Sequence, residues 1–326
     1  MALRVVCLSP FSRETLQHLV ADRTGVETVL VEEAPPAPEA VRRAVPGATV
    51  VISDKRHLHR IDRPVLEAMA GCRLIQVPAV GFDAVDHRVA AELGIPVANA
   101  AGYNKEAVAD WTLMAILTLL RRGVWGDRQI REGGWPKWDM GGRQLGSLTV
   151  GIIGLGNIGT AVATRLRPFG ARILFADIVP RTFEGAEPVE LEDLLQRSDV
   201  VCIHCVLDRD TRGLMDARRL ALMKPAAFLL NAARGPIVDE AALIDALRSR
   251  RIAGAALDVF EVEPLATDSP LRSMENVFLS PHVAGITEES EAGLIEVVRD
   301  NVGRALDGRE PFNVVNGVGV GHAQPA

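Results

Sequence analysis

The stretch that most limits what this chain can fold into is Thr149-Val-Gly-Ile-Ile-Gly154-Leu-Gly156-Asn-Ile-Gly159. A short apolar run, Thr149 to Ile153, meets glycines spaced G-x-G-x-x-G, and a helical pattern then runs from Ala161 to Arg167. Strand, glycine turn and helix in that order is the setting in which this spacing means dinucleotide binding. Gly154 permits the tight turn, Gly156 lets the backbone approach a pyrophosphate, and Gly159 lets the helix lie against the strand, while the helix's first-turn amides face the anion. A second strand, Arg172 to Ala176, ends in Asp177, about 20 residues on, where a carboxylate binds the ribose 2′-hydroxyl. A carboxylate there repels a 2′-phosphate, so NAD is favoured over NADP; Arg181, four residues later, pulls the other way.

The rest of the 326 residues gives ample chain for two domains with a core each. Before residue 100, apolar runs (Arg4–Leu8, Thr28–Val31, Thr49–Ser53, Leu74–Gln76, Pro96–Ala98) alternate with helical patterns near Arg13–Val20, Pro38–Val45, Pro64–Met69 and His87–Leu93. Such alternation predicts an α/β fold, with doubly wound parallel sheets and helices on both faces. Pro35-Pro36 and Pro46-Gly47 punctuate it as loops. Lys105–Arg121 reads as a long helix with few positions for water, buried between lobes or subunits, and Arg122–Arg143 as irregular connection. After the glycine turn come strands Val200–His204, Ala227–Asn231, Ala253–Leu257 and Val277–Leu279, helices near Arg218–Met223 and Glu240–Ser249, and a final helix Glu288–Leu306.

Composition removes several function classes. With 36 basic and 42 acidic residues the net charge is −6 and no basic block occurs, so nucleic acid is not an expected partner. The start, Met1-Ala-Leu-Arg-Val-Val-Cys-Leu, reads as a strand rather than a signal peptide, and the longest apolar stretch, Leu113–Leu120, is too short to span a bilayer. Four cysteines fit a reducing compartment, so a soluble, cytoplasmic protein without membrane contact is expected. Cys202-Ile-His204-Cys205 lies in a strand pattern that sends neighbours to opposite faces, and no second cluster completes a metal site; no metal is expected.

In open parallel sheets ligands bind beyond the carboxyl ends of the strands. Just past three such ends stand Arg234 (in Asn231-Ala-Ala-Arg-Gly-Pro), Glu263 (in Asp258-Val-Phe-Glu-Val-Glu-Pro) and His282 (in Ser280-Pro-His). That set suits carbonyl reduction by hydride from nicotinamide. A guanidinium grips a carboxylate through a planar fork. An imidazole gives its proton to the carbonyl oxygen as hydride arrives at carbon, and a carboxylate on its far nitrogen fixes the tautomer and favours the charged ring.

These motifs, with Met223-Lys-Pro and Asn231-Ala-Ala-Arg-Gly-Pro-Ile-Val-Asp-Glu240, resemble the D-isomer-specific 2-hydroxyacid dehydrogenases along nearly the whole chain. The resemblance implies two Rossmann-like or flavodoxin-like domains with a cleft between them: residues 1–100 plus 286–326 for substrate, and 101–285 for NAD. It implies the trio Arg234, Glu263 and His282 for catalysis on a small 2-keto or 2-hydroxy acid, and the backbone amides of Val80 and Gly81, in Pro78-Ala-Val-Gly-Phe-Asp83, for the substrate carboxylate. Asn157, Ile158 and Asp177 would contact the dinucleotide. The backbone around Cys205 and Ala232-Ala233, the Asp258 side chain and the segment His282–Gly285 would line its binding cleft, and Lys105–Arg121 would pack in a homodimer. Related scaffolds include NAD-sensing corepressors, which this chain matches without an evident peptide-recruiting extension. They also include formate dehydrogenases, which carry glutamine where this chain has Glu263. The sequence departs from the family at Val206 and Asp208, where a proline and a hydroxyl residue are frequent, and at Asp110, where glutamate is commoner. Lys55 and Arg56, in the loop after the third strand, are candidates to bind a second anionic group of the substrate.

Overall fold

A computed structural model describes residues 3–32 and 37–319; the loop expected at Pro35-Pro36 lies outside them. The chain divides into two compact units, Met1–Asn104 with Glu288–Ala326, and Lys105–Thr287.

In the first unit β1 (Leu3–Cys7), α1 (Arg13–His18), β2 (Val26–Leu30), α2 (Pro38–Ala44), β3 (Val50–Ile52), α3 (Arg63–Glu67), β4 (Leu74–Gln76), α4 (His87–Glu92) and β5 (Val97–Ala98) follow one another. The strands form one parallel sheet in the order β2-β1-β3-β4-β5, the flavodoxin-like doubly wound arrangement. Strand neighbours face opposite ways, so Val6, Val51 and Ile75 join Val41, Leu66 and Met69 of α2, α3 and the turn after it, on one face. Val5, Val50, Ile52 and Leu74 join Leu16 of α1 and Leu294, Val298 and Val302 of the C-terminal helix on the other. Strands covered on both faces read as continuous apolar runs, which is why they stand out in the sequence.

The second unit holds α5 (Lys105–Leu120), α6 (Gly123–Arg131), β6 (Thr149–Ile153), α7 (Asn157–Leu166), β7 (Arg172–Ala176), β8 (Ala186–Pro188), α8 (Leu191–Arg197), β9 (Val200–Ile203), α9 (Ala217–Leu220), β10 (Phe228–Asn231), α10 (Glu240–Arg248), β11 (Gly254–Leu257) and β12 (Val277–Leu279). The C-terminal helix, α11 (Glu288–Leu306), returns to the first unit. Seven parallel strands run in the order β12-β11-β10-β9-β6-β7-β8. Counted from β6 this is the Rossmann order 3-2-1-4-5-6 with one strand added. The order reverses between β6 and β9, so the ligand crevice is expected outside their carboxyl ends.

Three details differ from the sequence reading. The expected irregular segment 122–143 contains α6, held on its exposed side by the i,i+4 pair Arg131–Asp127 (2.8 Å) and closed by Gly133-Gly134. α7 begins at Asn157, inside the glycine motif, rather than at Ala161. The sheet gains β8, whose Glu187 and Pro188 are exposed at the edge; an edge strand with no apolar run leaves little signal. In α5, eight of sixteen residues are buried, against α7 and the sheet, while Met114 stays 44% exposed.

Candidate active site

Gly154, at the end of β6, has φ +91°, a left-handed value that disfavours any side chain. A Cβ there would also lie 2.8 Å from the amide nitrogen of Cys205, past the end of β9. Two strand ends therefore touch through a glycine at the reversal point of the sheet. At Gly159 a Cβ would meet the Gly154 carbonyl oxygen at 2.1 Å, which requires glycine for helix and turn to close. Gly156 differs from both: a Cβ would find nothing within 4 Å, and as N-cap of α7 it gives no side-chain bond to the first-turn amides. The open space and the amides of a ten-residue helix fit an anionic diphosphate.

Asp177 stands at the end of β7, its side chain 10% exposed. Its Oδ2 accepts from the Leu155 amide at 2.7 Å, tying it to the glycine turn, and its Oδ1 accepts from the Val179 amide at 2.8 Å. Arg181 donates to Asp177 at 3.2 Å, so this cation, which could favour a 2′-phosphate, is directed to the carboxylate. The Cys205 thiol, close to Asp177 and Asp208, is pushed up to about 11, chiefly by burial, and is no nucleophile at neutral pH.

The three loops after β10, β11 and β12 meet. At Gly235 a Cβ would lie 1.8 Å from the Phe260 carbonyl oxygen, so the loop bearing Arg234 presses directly on the loop bearing Glu263. Asn231 fixes that first loop, donating to the Arg234 carbonyl at 2.9 Å and accepting from the Ala233 amide at 3.0 Å; Ala232 and Ala233 lie within it. Glu263 Oε1 accepts from the Phe260 amide at 3.1 Å, and Oε2 sits 2.7 Å from His282 Nδ1. Burial disfavours charge on Glu263, but the bond and charge of His282, the Phe260 amide and the field of Arg234 outweigh it and hold the carboxyl below its usual range. With Nδ1 taken, Nε2 is the atom left to exchange a proton, on a side chain 44% exposed. The structure thus brings Arg234, Glu263 and His282 together.

Asp258, expected among the cleft-lining side chains, is also tied into the protein around His282. Its carboxylate, 1% exposed, accepts from Ser280 Oγ at 2.5 Å, from the Val283 amide at 2.9 Å and from the Ala284 amide at 2.8 Å. Its carbonyl accepts from the His282 amide at 2.8 Å. Trp111 of α5 donates Nε1–H to Ser280 Oγ at 3.1 Å, a link that no local sequence pattern announces. His282 itself sits at φ +57°, left-handed and unusual for a side chain of its size, and Asp258 binds the residues around it. Gly285 closes the same segment.

In the first unit, Val80 and Gly81 lie in the turn after β4. The Val80 carbonyl accepts from Asn99 Nδ2 at 2.7 Å, while neither residue's amide donates to an acceptor among the described residues.

Residues 113–284 match the family model described as D-isomer specific 2-hydroxyacid dehydrogenase, NAD binding domain. The chain is 41% identical over 266 residues to a glyoxylate reductase of Thermofilum pendens, covering 79% of this chain and 78% of that one. The chain belongs to the D-isomer-specific 2-hydroxyacid dehydrogenase family. As an NAD-dependent 2-hydroxyacid dehydrogenase it moves hydride between nicotinamide and a hydroxy or keto acid. It is also 38% identical over 267 residues to an (S)-sulfolactate dehydrogenase of Chromohalobacter salexigens, covering 80% of this chain and 86% of the relative. The solved D-lactate dehydrogenase of Aquifex aeolicus, complexed with NAD and lactic acid, superposes with a TM-score of 0.83 at 27% identity, over 99% of this chain and 100% of that one.

The two departures from the 2-hydroxyacid dehydrogenase pattern have local explanations. Asp208 Oδ1 accepts from the Asp210 and Thr211 amides at 2.8 and 2.9 Å, and Thr211 Oγ1 donates to the Val206 carbonyl at 2.7 Å. A carboxylate-capped turn thereby closes the loop that proline and a hydroxyl residue would otherwise shape. Asp110 accepts from Arg165 at 2.6 Å beside Glu106 at 2.7 Å, pinning α5 to α7; the shorter side chain suits that forked pair.

Proposed function

We propose that the enzyme reduces a small 2-keto acid to its D-2-hydroxy acid with NADH. The hydrogen bond between Glu263 and His282, beside Arg234, carries this reading. Bound nicotinamide supplies the hydride. Arg234 orients the keto acid through its carboxylate and carbonyl, and its fork favours one pose. The amides of Val80 and Gly81, which have no acceptor among the described residues, are proposed to hold the same carboxylate. His282 Nε2 gives its proton to the carbonyl oxygen while Glu263 stabilises the charged ring and fixes its orientation. In the oxidative direction the same nitrogen takes the proton back.

NADH is read as preferred over NADPH because Asp177 presents a carboxylate where the extra phosphate would sit and engages Arg181 as well. Gly154, Gly156, Asn157, Ile158, Gly159, Cys205, Ala232, Ala233, Asp258 and Gly285 complete the proposed cofactor surface, so Lys105–Thr287 is proposed as the cofactor unit and the other as the substrate unit. We read the protein as a homodimer of a reducing cytoplasm, in line with four free thiols and the exposed apolar side chains Met114, Val124 and Ile130 on α5 and α6. A panel of 2-keto acids assayed by NADH oxidation, with NADPH in parallel, tests the reaction and the coenzyme preference together.

A further inference from the structure

The parallel strands β1, β3 and β4 bring their carboxyl ends to one edge of the first sheet. Ser9 follows the first, Ser53 to Arg56 the second, and Val77 to Gly81 the third. These loops are tied to one another: the Lys55 amide donates to Ser9 Oγ at 3.3 Å, and the Ser53 amide to the Gln76 carbonyl at 2.9 Å. Lys55 and Arg56 therefore belong to the strand end next to the one bearing Val80 and Gly81. A phosphate or sulfonate at the far end of a keto acid would look to that pair of cations.

Neither cation is offered. Arg56 folds back onto Asp54, with Nε 2.9 Å and Nη2 3.4 Å from its two carboxylate oxygens, and the Asp54 side chain is wholly buried. Lys55 Nζ lies 2.7 Å from Glu291 Oε2, with 29% and 38% of the two side chains exposed. Glu291 stands in the first turn of α11 together with Glu288 and Glu289. The charges of Asp54, Lys55, Arg56 and Glu291 cancel, and two further carboxylates stand on the same helix turn. A dianionic substrate would have to displace Glu291 from Lys55 and then lie beside it.

Resting on the functional reading above, we infer that Glu291 is a specificity-determining residue: by occupying Lys55 it selects keto acids whose only negative charge is the carboxylate being gripped. Glu291 touches neither substrate nor reacting atoms; it acts through Lys55.

The test compares hydroxypyruvate with phosphohydroxypyruvate, which share a carbon skeleton and differ by the phosphate. Wild type is expected to favour hydroxypyruvate in kcat/KM. Glu291→Gln is expected to raise the ratio for the phosphorylated compound at least tenfold, mostly through KM, and Lys55→Met in that background to abolish the gain. A wild type that already prefers the phosphorylated acid, or a ratio unmoved by Glu291→Gln, overturns the inference. Calorimetric titration with D-glycerate and D-3-phosphoglycerate separates it from the reaction itself. Glu291→Gln should gain affinity for the phosphorylated acid alone, and no gain there also overturns it. Should no keto acid be reduced while that selective gain appears, the role of Glu291 stands and the functional reading falls.

Discussion

His282 holds its imidazole on a left-handed backbone, and one buried carboxylate, Asp258, secures the residues on either side of it. The position of the proposed proton donor is thus set by a residue that need not meet the substrate. His282→Asn should lower kcat for keto-acid reduction by about 10²–10⁴-fold, the range removed with a general acid, and leave the NADH dissociation constant within about twofold. Stopped-flow and equilibrium binding measure the two quantities separately; equal losses in both would point to a binding role. Asp258→Ala removes the acceptor of two amides and a hydroxyl, at about 1–3 kcal/mol for each group left unpaired, so thermal stability and kcat should fall together. Asp177→Ala should narrow the preference for NADH over NADPH in kcat/KM, and an unmoved ratio would assign that preference to another group. The trio was legible because each residue follows an apolar strand in a parallel fold. The Asp258, Ser280 and Trp111 chain was not, since its members lie on three elements and only the tertiary fold gives them a common purpose.

At the scale of elements, the glycine turn separates folding from binding. A Cβ at Gly154 collides with the backbone of Cys205, whereas at Gly156 it meets open space. Gly154→Ala should therefore cost several kcal/mol, with left-handed strain added to the clash, while Gly156→Ala should fold with a stability change of about 1 kcal/mol or less and lose NADH affinity. Chemical denaturation beside NADH titration reads both; a Gly156→Ala protein that binds NADH normally would remove the diphosphate from that turn. His204, the next residue after β9, carries both ring nitrogens buried without a partner among the described residues, and burial pulls its pKa down to about 4. The unfolded chain binds a proton there near pH 6.5 and the folded one only near 4, so this residue's contribution to stability rises with pH across that window. His204→Phe should flatten the difference in melting temperature between pH 5 and pH 7. Strands with both faces covered announced themselves, as Val50-Val51-Ile52 and Val200-Val201-Cys202-Ile203 show, because burial on two sides demands an unbroken apolar run. β8 and α6 did not, because Glu187 and Pro188 face solvent at a sheet edge and the α6 signal runs straight into Gly133-Gly134.

At the scale of the whole molecule, each unit is a doubly wound parallel sheet, and the return of α11 to the first sheet makes that unit discontinuous in sequence. The helix was legible from its length and apolar spacing; its home came from the family resemblance alone, because Leu294, Val298 and Val302 would suit any apolar sheet face. The exposed apolar side chains Met114, Val124 and Ile130 on α5 and α6 of the second unit are the proposed site of self-association. Sedimentation of wild type should give a dimer and Met114→Asp a smaller species, while an unchanged mass would move the interface elsewhere. The central claim is that Arg234, Glu263 and His282 form a proton-coupled hydride-transfer site for keto acids. Its most direct test is single-turnover oxidation of enzyme-bound NADH by glyoxylate and hydroxypyruvate, in wild type and in His282→Asn. The account predicts a fast transfer in wild type that is lost in the variant although NADH remains bound; wild type inert toward every keto acid, or a variant as fast as wild type, would contradict it.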